Sequence, residues 1–173
     1  MIQRIQSIFL LVVCGLMAGF LFVPIWEKVD KAKGEMIVLD AFFLRHYYLP
    51  THKAYPQSRQ ADKMSVNDVE QKILYLISGI AILSALVACF SIFKFKKRPL
   101  QLKLGMLNTL LLCGVLGTMF YYQNAANNIF DPEKYGQFKI GFFLPVIALL
   151  FNILANKFIR KDEKLVRSVE RMR

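Results

Sequence analysis

Acid is scarce in this chain, and over four long stretches charge is missing altogether. Of 173 residues, 12 are Asp or Glu against 23 Lys or Arg, a formal net charge of +11. Histidine (two), cysteine (three) and tryptophan (one) are also in short supply. Each shortage excludes something. Cys14, Cys89 and Cys113 form no C-x-x-C and each lies in an apolar run, so zinc ribbons and dithiol redox pairs give way to thiols acting as small buried hydrophobes. His46 and His52 stand six apart near Tyr47, Tyr48 and Tyr55, without the further ligands that a metal site needs. No catalytic constellation and no cofactor motif occurs, so the expectation is a non-enzyme without cofactor or metal. The positive surplus does not point to nucleic acid, because it sits beside the apolar runs. Anionic lipid headgroups and the membrane potential account for it better.

What is abundant is apolar residues, 55% of the chain, gathered into runs. Residues 5–26, 73–93 and 104–122 carry no charge, and 140–159 only Lys157 near its end. About 20 such residues span a bilayer, so four spans are expected at about these positions. A cleaved signal peptide and a lipoprotein signal at Leu11-Val-Val-Cys14-Gly15 compete for the first run. Its length, the lack of an A-x-A-like site and the bulk of Val13 argue against both. Pro24 and Trp26 close that span, with the indole expected at the membrane interface.

Between the second and third runs, Lys94-Phe-Lys-Lys-Arg-Pro-Leu-Gln-Leu-Lys103 holds five basic residues and no acid. A short basic loop between apolar runs marks the cytoplasmic end of a hairpin. With both termini on the same side, that side carries 13 basic against three acidic residues, and the other 10 against nine. The long outer loop, 27–72, contains the β-prone stretch 36–50, expected as two short strands or one bent one. Phe42, Phe43, Tyr47 and Tyr48 are expected to pack down on the helix ends. Ser65 and Asp68 resemble a cap that would start the second helix near Val66. The second outer loop is 123–139. The expectation is an all-α membrane protein: a four-transmembrane-helix bundle with a small β-containing extracytoplasmic loop and a cytoplasmic C-terminal helical extension, one domain over 1–173.

Apart from Lys157 near the end of the fourth, the spans hold no Asp, Glu, His, Lys or Arg, which argues against proton relays, ion-coupled carriers and intramembrane hydrolases. Asn108, Thr109, Asn152 and Asn156 fall in the inner half of the third and fourth runs. They are candidates for helix–helix hydrogen bonds or for a polar pocket open to the cytoplasm, with the bonds favoured. Small residues mark candidate packing stripes: Gly15 and Gly19 in the first span, Ala81, Ala85 and Cys89 in the second, and Gly105, Thr109, Cys113 and Gly117 in the third.

After Pro145 the chain has neither Gly nor Pro, so the fourth helix is expected to run to about residue 170. There Leu165, Val166, Val169 and Met172 make an apolar stripe, and Lys161, Lys164 and Arg171 a basic face. Glu163 and Arg167 form an i, i+4 pair. Lys161, Lys164, Leu165, Arg167, Val169 and Arg171 are the candidate docking residues for a partner or for lipid.

Three stretches carry a resemblance over the whole chain: Met1-Ile-Gln-Arg-Ile-Gln6, Leu144-Pro-Val-Ile-Ala148, and the end from Ile159 through Lys164-Leu-Val-Arg-Ser-Val-Glu-Arg-Met-Arg173. The sequence resembles the four-span membrane proteins of Bacteroidota catalogued as a domain of unknown function, DUF4293-like. That resemblance implies a bacterial inner-membrane protein and brings no activity. In layout alone it is also similar to claudin-type tetraspans. The expected role is an accessory or scaffold subunit whose partners are the bilayer, anionic headgroups at the inner face and other membrane subunits, with no nucleic acid. The alternative is a carrier of a small molecule or lipid.

Overall fold

The computed structural model describes residues 2–30, 35–48, 70–94, 98–127 and 136–171. Four helices, α1 (Ile2–Phe20), α2 (Tyr75–Phe93), α3 (Arg98–Asn127) and α4 (Ile140–Arg171), alternate with five strands, β1 (Trp26–Asp30), β2 (Glu35–Leu39), β3 (Phe43–Tyr48), β4 (Glu70–Ile73) and β5 (Gln137–Phe138). α1 packs on α2 and α4, and α3 packs on the same two, so the helices close into a ring. Three of them, α2, α3 and α4, are long and apolar enough to cross a membrane. The apolar part of α1, Gln6–Phe20, is shorter.

The first apolar run does not stay helical to Trp26. Leu21 N–H bonds Ala18 O and Phe22 N–H bonds Gly19 O, closing the helix. Pro24 disfavours helix in the residue before it and lacks an N–H. Ile25 N–H then bonds Leu39 O at 2.8 Å, and the chain enters the sheet. Trp26 is therefore no interfacial anchor: it lies on the inward face of β1, fully buried, opposite Leu39 and Phe138.

The sheet is antiparallel in the order β4-β3-β2-β1-β5. Stretch 36–50 yields two strands, β2 and β3, with Ile37 and Leu39 buried on the inward face of β2 as the two-residue period requires. The helix expected to start near Val66 does not. Glu70–Ile73 instead pairs with β3, Phe43 opposite Ile73, and α2 begins at Tyr75. Ser65 and Asp68, the expected cap, lie outside the described residues. β5, from the α3–α4 connection, joins β1 from the α1–α2 connection. Its short ladder is reinforced by an ion pair between Lys139 and Glu27. The start of α4 is tied to the same corner by Gly141 N–H to Pro24 O at 3.1 Å. A Cβ at Gly141 would collide with the carbonyls of Val23 and Pro24, so glycine is required there.

The basic connection is also shorter than its charge pattern predicts. α3 starts at Arg98, with Pro99 in the first turn, where a missing N–H is harmless. Charge ends an apolar run but does not end a helix. At 1.5 Å per residue, the 30 residues of α3 and 32 of α4 reach about 45 and 48 Å, beyond the roughly 30 Å of hydrocarbon. One core joins Val13, Met17, Phe20, Ile77, Leu112 and Met119 of the helices to Trp26, Ile37, Leu39 and Leu74 of the sheet side.

Candidate functional site: a polar layer and a basic-end groove

Antiparallel packing of α3 and α4 brings the predicted amides together. Ser84 Oγ, on α2, donates to Asn108 Oδ1 at 2.7 Å, and Asn108 Nδ2 to Asn152 Oδ1 at 3.2 Å. Asn152 Nδ2 reaches Gly105 O at 3.0 Å and Thr109 Oγ1 at 2.9 Å. Thr109 Oγ1 donates to Gly105 O at 2.9 Å. Ser84, Asn108 and Asn152 are all buried. These bonds satisfy polar groups that would otherwise be orphaned in an apolar interior, and they fix the register of three helices. Asn156 is the looser member. Its Nδ2 is 3.5 Å from Thr109 Oγ1, and its Oδ1, pressed against Gly105, has no hydrogen-bond partner among the described residues.

Seven residues, about two turns, nearer the basic end, Ser91 of α2 and Gln101 of α3 are buried, as is Gln6 of α1. Gln6 Nε2 and Ser91 Oγ have no hydrogen-bond partner among the described residues. None of Ser84, Gln6, Ser91 and Gln101 was among the predicted site residues. Ser84 and Ser91 lie seven apart on the buried face of α2, with Ala81 and Ala88 at the same spacing, a signal the sequence does contain. Gln101 was hidden by the assumption that the basic stretch is loop.

The small-residue stripes divide. Ala81 is fully buried and Ala85 packs against the core. Gly105 is buried under Asn156. Gly15, Cys113 and Gly117 are exposed, and a Cβ at Gly15, Gly19 or Gly117 would meet nothing among the described residues. Four residues turn a helix through 400°, so each step of such a stripe drifts about 40°, and by Gly117 it has left the interface. Of the thiols, Cys14 and Cys89 are half-buried and Cys113 exposed, rather than all buried.

On the sheet side, Lys28 is 2% exposed. Its Nζ donates to Asn127 O at 3.1 Å and Asn127 Oδ1 at 2.8 Å, placing a cation on the C-terminus of α3, where the helix dipole favours it. Phe42 packs against the core, while Arg45 lies over the Phe43 ring and pairs with Asp40 at 3.0 Å. Burial pushes the Asp40 carboxyl above its ordinary value, and Arg45 only partly offsets this. His46 sits on β3; His52 and Tyr55 are outside the described residues. Among the described residues no three His, Cys, Asp or Glu side chains cluster as metal ligands.

At the far end of α4, Lys161, Lys164 and Leu165 are exposed; the side chains of Arg167, Val169 and Arg171 are outside the described set. Between α3 and α4 a groove of about 400 Å³ is lined by Met106, Thr109, Ile153, Asn156, Lys157 and Arg160.

The sequence model of the family described as Domain of unknown function (DUF4293) matches residues 2–172. No curated protein matches the chain.

Proposed function

This chain belongs to the DUF4293 family, whose description assigns no activity, and from that premise we propose that it is a non-enzymatic membrane protein, an accessory or scaffold subunit of a larger assembly in a bacterial inner membrane. α1 acts as the fourth span. It lies against α2 and α4, Phe9 contacts both Phe151 and Phe158 of α4, and Ile8 and Leu11 face outward. Its 19 residues cover about 28 Å, near the hydrocarbon thickness. Both termini are cytoplasmic, in keeping with the 13-to-three charge balance at that end.

The observation that carries the scaffold reading is the length of α4. It continues past its apolar run to Arg171, leaving Leu165 (48%) and Val166 (38%) exposed beside Lys161 and Lys164. An apolar stripe with a basic flank, held on a helix nucleated in the membrane, suits docking to a partner subunit. The carrier alternative is weaker because Asn108 and Asn152 spend their hydrogen bonds on each other and on Ser84, Thr109 and Gly105. The test is purification in mild detergent of wild type and of Leu165→Asp with Val169→Asp. A stoichiometric partner that copurifies with wild type and is lost from the variant, at unchanged membrane level, supports docking. Unchanged copurification in the variant removes it.

A further inference from the structure

The α3–α4 groove differs from the sealed amide layer beneath it in being open and charged. Ile153, Asn156, Lys157 and Arg160 follow at spacings of three, one and three, so they share one face of α4. Met106 and Thr109 supply the opposite wall from α3. Met106 is 49% exposed and Ile153 48%, and both continue into the outward apolar surface of Leu110 and Leu154. Lys157 and Arg160 are exposed, and among the described residues no carboxylate pairs with either. Asn156, 8% exposed, still has an Nδ2 whose one bond is 3.5 Å long. The groove thus offers two cations that no described carboxylate pairs and an underused amide donor at the end where α4 leaves its apolar run. Apolar walls lead from there toward the lipid-facing side.

We infer that this groove holds the headgroup of an anionic phospholipid of the adjoining leaflet. The phosphate takes charge-assisted hydrogen bonds from Lys157 and Arg160 and a weaker one from Asn156 Nδ2, while an acyl chain lies along Met106 and Ile153. Basic pockets between membrane helices suit such headgroups. A soluble anion would meet the cations but gain nothing from the apolar walls, which favours the lipid. The inference rests on reading α3 and α4 as membrane spans and not on the scaffold role.

Native mass spectrometry of the full-length protein in mild detergent tests it, titrating phosphatidylglycerol, phosphatidylcholine of the same chains and, separately, inorganic phosphate. Phosphatidylglycerol is expected to bind about tenfold or more tightly than phosphatidylcholine. Lys157→Gln with Arg160→Gln should abolish that preference. Lys94→Gln with Lys103→Gln, an equal loss of charge at residues that do not line the groove, should keep it. Ile153→Trp, which fills the groove without changing charge, should weaken phosphatidylglycerol several-fold. Equal binding of the two lipids, an equal loss in both double charge variants, wild-type binding by Ile153→Trp, or displacement of the lipid by comparable concentrations of phosphate would each overturn the site. Should the membrane reading itself fail, the protein would appear in the soluble fraction; failure of the groove alone leaves it in the membrane without lipid preference.

Discussion

At Gly105 the backbone of α3 comes so close to the Asn156 side chain that a methyl group has nowhere to go. Gly105→Ala should therefore destabilise the protein by about 1–3 kcal/mol, the usual cost of overpacking. In an Asn156→Ala background the same change should be nearly neutral, since the colliding atoms are gone. Gly117→Ala, into open space, should be neutral or stabilise by up to about 1 kcal/mol through helix propensity. Thermal unfolding in detergent reads all three. Asp40 supports a second expectation. Its carboxyl holds its proton more tightly in the folded protein than in the unfolded chain. The stability it adds is thus complete below the unfolded value and is lost as pH rises through the folded one. The melting temperature of wild type relative to Asp40→Asn should fall across that acidic range, and a flat difference would refute the assignment.

Among the elements, β1 does the most joining. Its inward residues alternate: Trp26 enters the core, and Lys28 reaches the end of α3. Lys28→Met would strip the bonds from Asn127 O and leave a helix end short of donors, at a cost of about 1–3 kcal/mol. It should lower the melting temperature, and hydrogen exchange should rise first in the last turn of α3; uniform exchange along α3 would count against the capping role. The buried lysine was invisible to composition, since Lys28 sits in a nearly neutral loop. Its partner lies 99 residues away. By contrast, α4 was legible almost to its end, because an uninterrupted stretch free of Gly and Pro needs no distant partner to stay helical.

On the scale of the whole molecule, the described parts of the α1–α2 and α3–α4 connections belong to one sheet. β5 adds to β1, the sheet shares a core with the helix ends, and four helices close a ring beneath it. If the charge balance sets orientation, the sheet lies outside and the α2–α3 connection inside. In a variant with Cys14, Cys89 and Cys113 replaced, a cysteine at Gln137 should react with an impermeant maleimide on intact spheroplasts. One at Lys103 should react only after lysis. Both positions are exposed, so the reverse pattern would invert the topology rather than report burial.

Helix number, the long apolar segments and the closure of their polar residues on one another were all legible along the chain. They depend on local periodicity and on the cost of leaving an amide unpaired in an apolar interior. The identity of the pairs was not legible. Whether Asn156 meets Gly105, whether 70–73 is helix or strand, and where Trp26 points each depend on partners tens of residues away. A strand needs an edge to join, and 70–73 became β4 because β3 offered one. Contact glycines likewise looked alike in sequence; the 40° drift of a four-residue step and the packing of α4 separated Gly105 from Gly117. Local physics settled which segments are helices, and packing between distant segments settled which of their faces meet.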